Sequence, residues 1–185
     1  SSVMQNTVTG NTANGTGGGI LHNSGNDASF VGNSVNGNTA GTVGGLYVLV
    51  SNITVTDNTI NGNTVLASNG IGGGFYATSA TNLVLMDNVI SGNFVHGASS
   101  DGGCVYHNSG NGAMYVGNTI SNNTATDLGG GAFIQGSGHL FNDNTIADNL
   151  CGSSGGGVYL NGQNSTWSVN VITSNQAASN GGGVF

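Results

Sequence analysis

Ile53-Thr54-Val55-Thr56-Asp57-Asn58-Thr59-Ile60-Asn61-Gly62-Asn63 is the stretch whose reading decides the fold. Apolar and polar residues alternate up to Asp57, the period of a half-buried strand. An Asn follows, then a β-branched residue, then a second Asn. The same phrase recurs along the whole chain. Its first Asn is Asn6, Asn33, Asn58, Asn88, Asn118, Asn144 and Asn170, and its second is Asn11, Asn38, Asn63, Asn93, Asn123, Asn149 and Asn175. Successive spacings are 27, 25, 30, 30, 26 and 26 residues, so the period holds while loops absorb insertions. A unit this short cannot bury its own apolar side, and its copies must stack on one another. Seven copies occupy 1–26, 27–52, 53–82, 83–111, 112–138, 139–164 and 165–185, and 1–185 is expected to be a single solenoid domain.

Three apolar columns run through the copies. Val3, Phe30, Val55, Leu85, Tyr115, Phe141 and Trp167 precede the first Asn and are always bulky, which places them inward. Val8, Val35, Ile60, Ile90, Ile120, Ile146 and Ile172 are all β-branched and suit stacking in parallel register. Ile20, Leu46, Phe75, Val105, Ala132, Val158 and Val184 follow the Gly-rich runs. The expected fold is all-β, a parallel β-helix of seven coils of about 26 residues with three short strands per coil. Asn-Gly ordinarily marks a two-residue hairpin. Here Asn36-Gly37 and Asn61-Gly62 fall at equivalent positions inside the repeat, where other copies have Ser91-Gly92 and Ser121-Asn122, so a corner is specified instead. Asn tolerates left-handed backbone, and a column of amides hydrogen-bonds from coil to coil.

Composition narrows the partners. Only 4% of residues are charged, against roughly 25% in ordinary soluble domains. Lys, Arg and Pro are absent, and the formal net charge is −7. A chain without a strong cation cannot neutralise phosphates, which sets aside nucleic acids and anionic membrane surfaces. No apolar run is long enough to span a bilayer. The missing Pro fits strands paired on both sides, where it would delete a ladder hydrogen bond. Proteases that cut after Lys or Arg have no site, which suits an extracellular or cell-surface location. Cys104 and Cys151 lie two coils apart in different columns, beyond disulfide reach, and are expected as buried small apolar residues.

Val35-Asn36-Gly37-Asn38-Thr39-Ala40 with Gly44-Gly45-Leu46-Tyr47 resembles the Phe-x-x-Asn and Gly-Gly-Ala-Ile repeats of polymorphic outer-membrane proteins. Phe30-Val31-Gly32-Asn33, Tyr115-Val116-Gly117-Asn118 and Phe141-Asn142-Asp143-Asn144 carry the aromatic version. The likeness covers the whole chain and extends to the wider set of right-handed parallel β-helix surface proteins and adhesins. It implies a right-handed helix, in keeping with the usual hand of parallel crossovers. It implies little about activity, because this scaffold carries adhesins, passenger domains, polysaccharide enzymes and fibres. The chain departs from those proteins in lacking a β-barrel anchor, so membrane anchoring does not carry over.

Several residues are candidates for chemistry. Polysaccharide lyases on such helices use an Arg or Lys base, absent here. Asp57 and Asp87 hold the same position in adjacent coils, and Asp143 shares the column. Stacked neighbours sit about 4.8 Å apart, near the carboxyl separation of a retaining glycosidase and also suited to a weak Ca²⁺ bridge. An ordinary exposed acidic column is the plainer alternative, and no other cofactor or metal is expected. His22 and His107 share a column three coils apart, and His96 and His139 have no evident partner. Thr7, Ser34, Thr59, Val89, Thr119, Thr145 and Val171 form an outward hydroxyl-bearing column like those of ice-binding surfaces. Tyr47, Tyr76, Tyr106, Phe133 and Tyr159, flanked by Leu21 and Phe185, form an aromatic stripe that either faces out as a sugar-stacking or packing seam, or fills the core. Asn14, Asn52, Asn122 and Asn164 begin Asn-x-Ser/Thr acceptors for glycans.

The sequence ends inside repeat strands, without a capping segment, so copies of the chain are expected to meet end to end. The expected function is that of an extracellular structural β-solenoid, not an enzyme, forming or belonging to a filament with glycans as further partners. The alternatives are a surface adhesin or carbohydrate- or ice-binding module, and a polysaccharide hydrolase using Asp57 and Asp87.

Overall fold

The structure is a computed structural model that describes residues 1–97, 102 and 104–185. The described chain is all-β and winds as a parallel β-solenoid. Each strand pairs in parallel with its equivalents in the neighbouring coils, giving three seven-stranded sheets and one six-stranded sheet. In the third coil the strands are Thr54–Thr56, Thr59–Asn61, Thr64–Val65 and Phe75–Thr78. Register follows the repeat without slip: Val55 pairs with Phe30 and Leu85, Ile60 with Val35 and Ile90, and Phe75 with Leu46 and Val105.

Four strands per coil replace the expected three. The additional one is Thr64–Val65 and its equivalents, such as Thr39–Ala40 and Thr124–Ala125. At two residues it is too short to show alternation, and only its inward column of Ala, Val and Cys betrays it. Val55, Ile60 and Val65, each five residues from the last, all point into the core at 0% exposure. The coil thus turns once per pentad through two successive corners.

Each corner is built the same way. The residue before every ladder Asn has positive φ, as at Asp57 (56°), Gly62 (61°) and Asn122 (55°). Gly takes this conformation without cost, and Asn and Asp tolerate it through local side-chain hydrogen bonds. A third column with the same backbone starts most coils: Asp27, Asn52, Asn82, Gly112, Gly138 and Asn164. The main core runs the length of the solenoid and contains Phe30, Leu46, Ile53, Phe75, Leu85, Ile90, Tyr115 and Phe141. Both cysteines are free and buried, and Cys104 belongs to this core.

Candidate functional site

The two Asn columns are the dominant polar feature. From Asn33 to Asn149 every ladder Asn is buried. Asn118 shows the wiring. Its Oδ1 accepts from the backbone N–H of Asn88 at 3.1 Å and from Asn88 Nδ2 at 3.0 Å. Its own N and Nδ2 donate to Asn144 Oδ1, both at 3.0 Å, and Nδ2 also donates to the Leu85 carbonyl at 2.8 Å. The second column repeats the arrangement at Asn93, Asn123 and Asn149. The Asn-to-Asn bonds point one way, each coil donating to the next, while each Nδ2 also donates back to a carbonyl of the previous coil. Buried amides are satisfied in full, and the price of breaking one is the desolvation of its partners.

Both ladders therefore have polar ends. Asn6 and Asn11 donate to Asn33 and Asn38, and no described donor reaches their Oδ1 atoms. At the other face Asn170 and Asn175 accept from Asn144 and Asn149, while their backbone N–H groups donate to no described acceptor. The polarity belongs to the side-chain ladder alone, because the adjoining backbone N–H groups, such as those of Ser34 and Thr39, donate to the previous coil.

The aromatic stripe lies outside the main core yet is mostly covered. Tyr76, Tyr106 and Phe133 are buried under Val43, with Ile71 and Leu128 packed alongside. Tyr106–Phe133 and Phe133–Tyr159 are stacked, with centroids 4.7 and 5.1 Å apart. Ring faces occupied by other rings cannot stack a sugar, so the stripe is a packing seam between the fourth sheet and its Gly-rich loops. Each such pair adds roughly 0.5–1.5 kcal/mol beyond its area.

Asp57 and Asp87 stand exposed at the same corner in consecutive coils, each in the left-handed conformation. The Asp87 carboxylate leans over Gly117 in the next coil, in the space a Cβ there would need. Among the described residues no three His, Cys or Asp gather as a metal would require. The hydroxyl column of the second sheet mixes exposed and half-covered residues, with Thr7, Val89, Thr145 and Val171 the open ones. All four glycan acceptors, Asn14, Asn52, Asn122 and Asn164, are exposed. Asn52 is committed to a small outer ladder, donating to Asp27 Oδ1 at 3.0 Å and accepting from Asn82 at 3.1 Å.

One cluster was not expected. His139, without an evident partner in the sequence, packs on His107 with ring centroids 5.5 Å apart, the two rings 1% and 0% exposed. His107 Nδ1 lies 2.6 Å from the Tyr115 hydroxyl, and His139 Nδ1 accepts from the Ala113 N–H at 3.2 Å. Both Nε2 atoms lack a hydrogen-bond partner. Burial, reinforced by the neighbouring His139, pulls His107 down to about 4, and the Ala80 carbonyl nearby, which favours the charged ring, does not offset this. Burial lowers His139 as well. The signal in the sequence was faint: His107 and His139 occupy different inward columns, which meet only where the fourth sheet turns into the first. His96 and His22 stay apart from them, with ring contacts to Phe94 and Phe30.

Comparison with known proteins found no family model, no curated protein and no solved structure that matches the chain.

Proposed function

We propose that the chain is a length of an extracellular structural fibre, non-enzymatic, in which coils continue end to end from one copy to the next. The observation that carries this reading is the polarity of the Asn ladders. Each ladder Asn donates to the Asn of the next coil along the whole stack, so a coil of another copy continues the ladder only in the same orientation. Head-to-tail contact between unlike faces does not close on itself and lengthens into a filament. The covered aromatic row supports a structural over a sugar-binding role, and the exposed corner position of Asp57 and Asp87 supports it over hydrolysis. The motif likeness to polymorphic outer-membrane protein repeats is proposed as kinship of the repeat, consistent with a cell-surface location. Asn164, exposed and free of ladder bonds, is the acceptor best placed for a glycan.

Negative-stain microscopy of the purified chain tests the proposal. Filaments as wide as one solenoid are expected, and Ile172→Lys, which sets a charge in the last coil, should leave single particles. Monodisperse particles of the unaltered chain at every concentration in sedimentation runs would remove the fibre reading.

A further inference from the structure

Tyr115 is the one tyrosine of the main core; Tyr47, Tyr76, Tyr106 and Tyr159 belong to the aromatic stripe. Burial holds its hydroxyl well above the ordinary phenol range, so it carries its proton. A buried phenol must give that proton to an acceptor, and His107 Nδ1 lies 2.6 Å away. The proton of the neutral imidazole then sits on Nε2, on the side of the Ala80 carbonyl: a Cβ at Gly110 would come within 2.6 Å of both atoms. His139 closes the far side. Its Nδ1 already accepts from the Ala113 N–H, so its own proton is on Nε2 and it offers the pair no second base.

Tyr115 is also a member of a ring stack. It pairs in register with Phe141, and Phe141 with Trp167. The centroids are 4.6 and 3.9 Å apart, with planes 8° and 12° from parallel. Indole and phenol both give up one electron readily, and a phenyl ring stacked between them couples the two without being oxidised itself. The phenol differs in one respect. Its radical cation is a strong acid, so the electron leaves readily only where a base takes the proton in the same step. A positive charge in this core would otherwise be unpartnered; on His107 the Ala80 carbonyl favours it.

We propose that Tyr115 and His107 form a buried proton-coupled redox site, which collects oxidising equivalents from Trp167 through Phe141. A one-electron oxidant of the radical class takes an electron from the indole. Tyr115 returns an electron to Trp167, and the phenol proton moves to His107 Nδ1. The products are restored Trp167, a neutral phenoxyl radical at Tyr115 and an imidazolium at His107, with one electron gone to the oxidant. Tyr115 and His107 are 2% and 0% exposed, so the radical is held where water and other chains do not reach it. The inference stands whether or not the chain forms fibres.

Pulse radiolysis in azide solution tests it, because the azidyl radical oxidises indole preferentially and the chain has a single Trp. The indolyl absorption is expected to decay as the phenoxyl band grows, with a phenoxyl signal in electron paramagnetic resonance after freezing. Tyr115→Phe should abolish that growth and prolong the indolyl radical. His107→Val keeps the phenol but removes the base, and the phenoxyl yield should fall at least about tenfold, the factor that one charge-assisted hydrogen bond supplies. Unaltered chain equilibrated in heavy water should show slower growth, a result that no folding defect produces. Phenoxyl growth undiminished in Tyr115→Phe would place the radical in the aromatic stripe and overturn the proposal. Equal yields with and without His107, or equal rates in light and heavy water, would overturn the proton transfer on which it rests.

Discussion

A single ladder Asn performs three tasks, and its replacement should reveal them separately. Asn118→Ala leaves the Asn88 backbone N–H without an acceptor, takes one of three acceptors from Asn88 Nδ2, and removes a donor from the Asn144 oxygen and the Leu85 carbonyl. With each orphaned group costing about 1–3 kcal/mol, a loss of about 3–5 kcal/mol is expected in urea unfolding. Asn118→Asp keeps the acceptor but turns the donating nitrogen into an oxygen facing Asn144 Oδ1 and Leu85 O, so it should rescue little. A near-neutral Asp variant would mean that acceptance alone matters. Val169 is the opposite case. It is 77% exposed and holds φ 57°, in a column otherwise filled by Gln, Gly and Asp. A β-branched residue is strained there by about 1–2 kcal/mol. Val169→Gly is expected to stabilise the last coil by about 1 kcal/mol, after allowing for the greater freedom of Gly when unfolded. The fluorescence of Trp167, the chain's single Trp, reports that coil and should show a higher urea midpoint.

Elements were legible in the sequence to the extent that they repeat. The Ile60 and Phe75 columns carry bulky residues in nearly every copy, so their strands and inward sides could be placed. Thr64–Val65 could not, because two residues show no period. The aromatic stripe was ambiguous for a different reason. Alternation places Tyr76 opposite Phe75, outside the core, but says nothing about the loop bearing Val43 and Ile71 that folds over it. The His pair is illegible for a third reason: it depends on where the fourth sheet turns into the first, which the spacing of one repeat does not encode. That corner is also where acid should act. Both rings are lowered by burial from an ordinary value of 6.5, His107 to about 4. A group whose folded pKa is depressed binds its proton more readily when unfolded, so stability is lost as pH falls. The loss should begin below about 6.5 and be complete near about 4, costing on the order of 3 kcal/mol for His107. His107→Val, matching Val48 in the same column, should flatten the dependence of the urea midpoint on pH across this window. An equally steep slope in the variant would assign the acid sensitivity elsewhere.

At the scale of the whole molecule the stack is a one-dimensional array, stabilised coil by coil through nearest-neighbour contacts. Damage in one coil is therefore expected to reach its neighbours and little further. Leu85→Ala opens a cavity in the main core of the fourth coil and is expected to cost about 2–5 kcal/mol. With nearest-neighbour coupling alone, far-UV circular dichroism should lose part of its amplitude at lower urea while Trp167 in the last coil keeps its midpoint. Coincident transitions by both probes would mean that the coils unfold as one cooperative unit.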